Sequence, residues 1–227
     1  MSEILVVAAH PDDEILGCGG TIAYHVANGD TVHILIVAEG ATSREGRRYA
    51  DGRSEKLIAL QRAAELAAKA VGAKPPRMLG LPDNMLDTLP LLDVIKPIEA
   101  MVNEVRPQIV YTHHGGDLNV DHRIVHQAVI TSCRPLPEST VTSIYAFETL
   151  SSTEWQSIGN AFQPQRWINI ENTLDNKLAA LSAYESEMRQ FPHARSIVAV
   201  ESLAKLRGAN VGLRAAECFM VLREIVR

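Results

Sequence analysis

The sequence predicts an α/β protein, a mostly parallel sheet with helices on both faces, built as a single domain over residues 1–227. Two observations carry this. Short runs such as Ile4–Ala9 and Val32–Ala38 are apolar at successive positions rather than at alternate ones, as strands buried on both faces are. Longer Ala-, Leu-, Glu- and Lys-rich segments alternate with them, and strands separated by helices imply parallel neighbours with crossover connections.

In chain order, Ile4–Ala9 is the first strand, and Leu16 to Asn28 reads as a helix closed by Gly29-Asp30. Val32–Ala38 is the second strand. Arg53–Val71 is a long helix of strong helix formers, stopped by Gly72 and Pro75-Pro76. Arg77–Leu81 is a short strand, Leu91–Val105 a helix ending before Pro107, and Gln108–Thr112 a third clear strand. Ile124–Ser132 reads as helix, Ser143–Glu148 as strand and Leu174–Met188 as an amphipathic helix. Ser202–Leu206 and Ala215–Val226 fit helix or strand equally. The polar loops at 39–52 and 113–121 follow strands, where open α/β sheets place their sites.

Composition narrows the function. The formal net charge of -5 supplies no basic footprint for nucleic acid. No apolar run approaches the roughly 20 residues of a spanning helix, so stable membrane insertion is not expected. Cys18, Cys133 and Cys218 are too few and too scattered for a disulfide framework or a cysteine zinc site. With a strand-like rather than leader-like first run, the expectation is a reduced, cytoplasmic enzyme.

Two constellations carry chemistry. The first, His10-Pro11-Asp12-Asp13-Glu14, sits just past the first strand. Pro11 turns the chain, so His10 and Asp13 can converge, and an imidazole with a carboxylate is a normal zinc ligand pair. Asp12 is left beside the metal as an acceptor for a proton from water, whose pKa a zinc ion lowers to about 7. Helix capping explains one of these carboxylates but not three acids and a histidine together. The second constellation, His113-His114-Gly115-Gly116-Asp117-Leu118-Asn119-Val120-Asp121-His122, follows the third strand and opens on the same sheet edge. It offers the third ligand, either from His113 or His114 or from His122, with Asp121 placed to orient a ligand. Three protein ligands leave a position open, as in catalytic zinc sites. His25, His33 and His126 have no such neighbours and read as ordinary strand, helix or surface residues.

These residues resemble the LmbE-like, or PIG-L, family of zinc deacetylases. The family's A-H-P-D-D-E motif stands complete as Ala9–Glu14. The resemblance implies a Rossmann-like fold of the class already predicted, with His10 and Asp13 as metal ligands and Asp12 as general base. The second family motif, commonly H-P-D-H, reads Asn119-Val120-Asp121-His122. It implies His122 as third ligand and Asp121 as its catalytic neighbour. Asn119 replaces a histidine credited with a general-acid or oxyanion role, which leaves Asp12 or a histidine of the 113–114 pair, His114 before His113, as the expected proton donor and Asn119 as a hydrogen-bond donor to the oxyanion. Gly80-Leu81-Pro82-Asp83-Asn84, Phe191–Ser196, Arg207-Gly208 and Ala216-Glu217-Cys218-Phe219 resemble further family segments.

The resemblance implies an N-acetylated amino-sugar substrate, a zinc or other divalent ion such as Fe²⁺, and a homo-oligomer. The substrate-binding candidates are Arg53, with Arg44, Arg47 and Arg48 in the loop before it, then His113, His193 and Arg195. The rival is a non-catalytic sugar- or nucleotide-binding Rossmann-like protein, suggested by Gly17-Cys18-Gly19-Gly20 after the first strand and by Glu39 at the end of the second. Ile22 stands where the last glycine of G-x-G-x-x-G belongs, and the acids of the first motif repel a pyrophosphate.

Overall fold

A computed structural model describes residues 1–41, 53–156 and 161–226, without the side chains of Arg53 and Ser54. Seven strands form one sheet: β1 (Glu3–Ala8), β2 (Thr31–Ala38), β3 (Arg77–Leu81), β4 (Ile109–His113), β5 (Ser143–Phe147), β6 (Arg166–Asn169) and β7 (Ala216–Glu224). Their order is β3-β2-β1-β4-β5-β7-β6. The first five strands pair in parallel, and β7 runs antiparallel to both β5 and β6. The order reverses between β1 and β4, so the crevice of a doubly wound sheet opens outside the carboxyl ends of those two strands.

The helices are α1 (Asp13–Ala27), α2 (Arg53–Val71), α3 (Leu91–Val105), α4 (Val120–Ser132), α5 (Leu174–Ala183) and α6 (Ile197–Ala209). The pleat of β1 divides the core between them. Ile4 and Val6 face Ile15 and Ile22 of α1, Ala64 and Ala67 of α2, Leu181 of α5 and Val200 of α6. Leu5 and Val7 face Val94 and Ile98 of α3 and Val125 and Val129 of α4. Among the described residues no helix is long and apolar enough to cross a membrane.

Several elements differ from expectation or complete it. α1 begins at Asp13 rather than Leu16 and kinks at Cys18, which has non-helical φ/ψ angles. α4 begins four residues early, at Val120, because Asn119 caps it: its side chain accepts from the Asp121 N–H. α5 stops at Ala183, five residues short of Met188. The ambiguous C-terminal segments resolve into helix α6 and strand β7, and β6, which sequence patterning missed, pairs on β7.

The glycines after the first strand do not open toward a phosphate. A Cβ on Gly17 would lie 2.2 Å from the Phe147 ring, and one on Gly20 2.8 Å from Ile170, so these glycines let α1 lie close against its neighbours. Past the kink, two buried amides of α1 already hold an anion supplied by the chain. Glu217 accepts from Gly20 N–H at 3.0 Å and from Thr21 N–H at 2.7 Å, with Lys177 Nζ 2.5 Å from Glu217 Oε1. The dinucleotide-like reading of the glycines is replaced by helix packing and capping.

Candidate active site

His10 leaves the end of β1 and Pro11 turns the chain, so that Asp13 N–H donates back to the His10 carbonyl at 3.2 Å. Asp12, at the head of this turn, has φ 110°, a left-handed conformation that side-chain-bearing residues rarely adopt. Its N–H donates to Glu14 Oε2 at 3.1 Å, and the Tyr184 hydroxyl donates to Glu14 Oε1 at 2.6 Å. Burial pushes the Glu14 carboxyl up to about 7, against the pull of Tyr184. The strained turn is thus held from below by a carboxylate and a tyrosine from the end of α5.

Three donor atoms converge above this turn. His10 Nδ1 lies 3.1 Å from Asp13 Oδ2, and His122 Nε2 lies 3.1 Å from the same oxygen. The group of His10, Asp13 and His122 is buried, with its donor atoms within 4.8 Å of one another. Ligand atoms about 2.0–2.1 Å from a tetrahedral ion stand about 3.3 Å apart, so the spacing fits one divalent ion. Asp13 Oδ1 and His122 Nε2 are buried without an aligned hydrogen-bond partner, as ligands of a common cation are, while His122 Nδ1 lies 3.1 Å from Asp117 Oδ1. The electrostatics agree. Burial opposes a charged His10, yet Asp121, Asp13 and Asp83 raise it to about 10. His122 is raised by Asp13 and Asp117 against the same opposition. Asp13 is held well below the carboxylate range by His122, His10 and His113 despite its burial. The cluster is built to hold positive charge.

The Asp12 carboxylate, from the same turn, is fully buried. Oδ2 receives Arg195 Nη1 at 2.7 Å, while Oδ1 is buried with no hydrogen-bond partner. Burial raises its pKa well above the ordinary value and Arg195 works the other way. Arg195 is anchored in turn by Nε donating to Ser151 Oγ at 2.7 Å. Among the substrate-binding candidates whose side chains are described, Arg195 is the one that meets Asp12.

The other predicted residues have different positions. Asp121 does not serve its neighbour His122. It faces His10 Nε2 at 3.1 Å and accepts the N–H groups of Asn84 at 2.7 Å and Leu86 at 3.0 Å. Asn119 does not point a donor at the pocket. Its Oδ1 caps α4 at 2.8 Å and its Nδ2 donates to Asn84 Oδ1 at 3.0 Å. His113 Nε2 accepts the Ala9 N–H at 2.8 Å, and burial, aided by the His122 charge, lowers its pKa well below the ordinary value. Its ring stacks on His122 with centroids 3.9 Å apart. His114 lies edge-on to Phe162, in a cavity that Gly115, Gly116, His126 and Met220 also line. His193 is exposed and accepts the Arg195 N–H at 3.0 Å. Arg53 opens α2, but its side chain, like Arg44, Arg47 and Arg48, lies outside the described residues.

Sequence reasoning missed Asp117 and Asp83. Asp117 Oδ1 lies 3.1 Å from His122 Nδ1, and Asp83 Oδ1 lies 3.3 Å from His10 Nε2. Both were inside segments already marked as sites. Which acid meets which imidazole was hidden, because it depends on how loops after β3 and β4 cross.

The PIG-L family, described as GlcNAc-PI de-N-acetylase, matches residues 5–133. Probable N-acetyl-alpha-D-glucosaminyl L-malate deacetylase 2 of Bacillus cereus is 32% identical over 200 residues, covering 85% of this chain and 88% of that protein. N,N'-diacetylchitobiose deacetylase from Pyrococcus horikoshii has a similar structure, with a TM-score of 0.78 and 19% identity over 98% of this chain and 84% of that one. So does GalB, the 4-carboxy-2-hydroxymuconate hydratase of Pseudomonas putida, with a TM-score of 0.78 and 21% identity over 100% of this chain and 98% of that one. These two likenesses concern the fold, and because the two activities differ, the backbone alone does not choose a reaction. The family match spans more than half of the chain and the Bacillus relative most of it, and the chain belongs to the PIG-L family.

Proposed function

We propose that this chain is a zinc-dependent hydrolase that removes an N-acetyl group from an amino-sugar substrate and releases acetate. The substrate class includes nucleotide sugars, glycoconjugates and glycan-biosynthesis intermediates. The observation that carries the proposal is the buried meeting of His10 Nδ1, Asp13 Oδ2 and His122 Nε2 beside an Asp12 oxygen with no partner. Family membership and the deacetylase relative support the same reaction.

His10, Asp13 and His122 hold the ion, and zinc, or Fe²⁺ in its place, fits this nitrogen and oxygen donor set. When bound, a divalent ion there supplies Lewis acidity to a water and to the acetamide carbonyl. Asp12 accepts the water's proton at Oδ1, the oxygen left unpartnered by Arg195. Asp12 also returns that proton to the leaving nitrogen.

The test is acetate release from a panel of N-acetylated amino sugars, with and without a chelator, and with Asp12→Asn. The expected result is activity lost on chelation, restored by Zn²⁺ and abolished in the variant. Activity indifferent to both treatments would overturn the proposal. A non-catalytic binding protein has no use for an unpartnered buried carboxylate beside a cation site, which costs stability to maintain.

A further inference from the structure

We infer that Asp117 is the positioning residue of the His122 ligand, and that the loop after β5 holds Asp117 in place through Ser152 and Thr153. The inference rests on His122 binding the metal, as proposed above, and adds three residues to that site.

The two imidazoles are each backed by a carboxylate, but not by the one nearest in sequence. Asp121, adjacent to His122, is spent on His10 and on the amides of Asn84 and Leu86. Asp117, five positions earlier, faces His122 Nδ1 at 3.1 Å. With Nε2 presented to Asp13 and the ion, Nδ1 must carry the ring proton, and a carboxylate beside it fixes that tautomer and the ring's orientation.

Asp117 is itself held rigidly. It is fully buried. Ser152 Oγ donates to its Oδ1, Thr153 Oγ1 to its Oδ2 at 2.5 Å, and the Asn119 N–H to Oδ1 at 2.9 Å. Three donors hold the carboxylate, two on Oδ1 and one on Oδ2, and the same Oδ1 faces His122 Nδ1. Ser152 and Thr153 come from the segment whose Ser151 anchors Arg195. One short loop therefore supports a metal ligand on one side and the partner of Asp12 on the other.

Replacing an outer carboxylate of this kind weakens metal binding by about 10- to 100-fold. The experiment titrates Zn²⁺ and Co²⁺ into metal-free protein against a chromogenic chelator, for wild type, Asp117→Asn, the double variant Ser152→Ala/Thr153→Val, and His122→Ala. The visible bands of bound Co²⁺ are recorded for each. Asp117→Asn is expected to lose about 10- to 100-fold in affinity with shifted cobalt bands, the double variant to lose several-fold in the same direction, and His122→Ala to lose most binding. A purely structural Asp117 would leave the bands of the folded variant unchanged. Wild-type affinity and bands in Asp117→Asn, alongside lost binding in His122→Ala, overturn this inference and spare the metal assignment. Wild-type binding in His122→Ala overturns both. If Asp117→Asn does not fold, wild-type affinity in the double variant overturns the inference.

Discussion

Arg195 Nη1 donates to Asp12 Oδ2 at 2.7 Å across 183 positions of sequence, and so closes the C-terminal region onto the first turn of the chain. Because Arg195 occupies Oδ2, Asp12 has Oδ1 alone for proton transfer. Asp12→Asn keeps the shape and can still accept from Arg195, but it has no base. Acetate release by the zinc-loaded protein is expected to fall by roughly 100- to 10,000-fold, the usual range for a lost general base. A steady-state assay that finds less than a tenfold loss assigns the base elsewhere.

Metal and proton compete for His10. In the metal-free protein its pKa is raised to about 10 by Asp121, Asp13 and Asp83, against the effect of burial. A histidine raised on folding contributes stability that is complete below about 6.5 and disappears as pH rises through the folded value. Metal-free protein is therefore expected to lose stability between about pH 6.5 and 10. Zinc binding at pH 8 is expected to release about one proton from His10. Calorimetry in buffers of different ionisation enthalpy measures that proton, and its absence would place His10 outside the ligand set.

Gly17 marks the closest approach of α1 to β5. A methyl group there meets the Phe147 ring at 2.2 Å, and Phe147 is fully buried and also packs on His113. Gly17→Ala is expected to destabilise by about 1–3 kcal/mol, as overpacked cores do. Urea denaturation of the metal-free protein checks this, and an unchanged midpoint would mean that α1 has room to shift.

Asn119 caps α4 through Oδ1 on the Asp121 N–H at 2.8 Å. Asn119→Ala is expected to cost about 1 kcal/mol, with Asn119→Asp or Asn119→Ser recovering most of it because both side chains cap. Equal stability of the alanine and serine variants in thermal melts would show that the side chain does another job.

The parallel half of the fold was legible because buried parallel strands are apolar at successive positions, and β1, β2 and β4 each announce themselves that way. The antiparallel edge was not. β6 spans four residues with only Ile168 buried, and β7 fits either periodicity until it pairs with β5 and β6. The glycines after β1 looked alike in sequence whether they served a phosphate or a close helix contact. Only the position of Glu217 on the Gly20 and Thr21 amides separates the two.

For the site, the residues of the sequence marked His10, Asp12 and Asp13 and a third ligand among His113, His114 and His122, because a turn after β1 and a loop after β4 must emerge on the same edge where strand order reverses, and the family resemblance singled out His122. Tertiary structure decided how the surrounding side chains are used. It crossed the carboxylates, sending Asp121 to His10 and Asp117 to His122, set His114 edge-on to Phe162, gave Asn119 to a helix cap and brought Arg195 to Asp12. The reason is physical. Adjacent positions at a helix start point in different directions, so proximity along the chain names a residue's neighbourhood, while its hydrogen-bond partner depends on which distant loops pack against it.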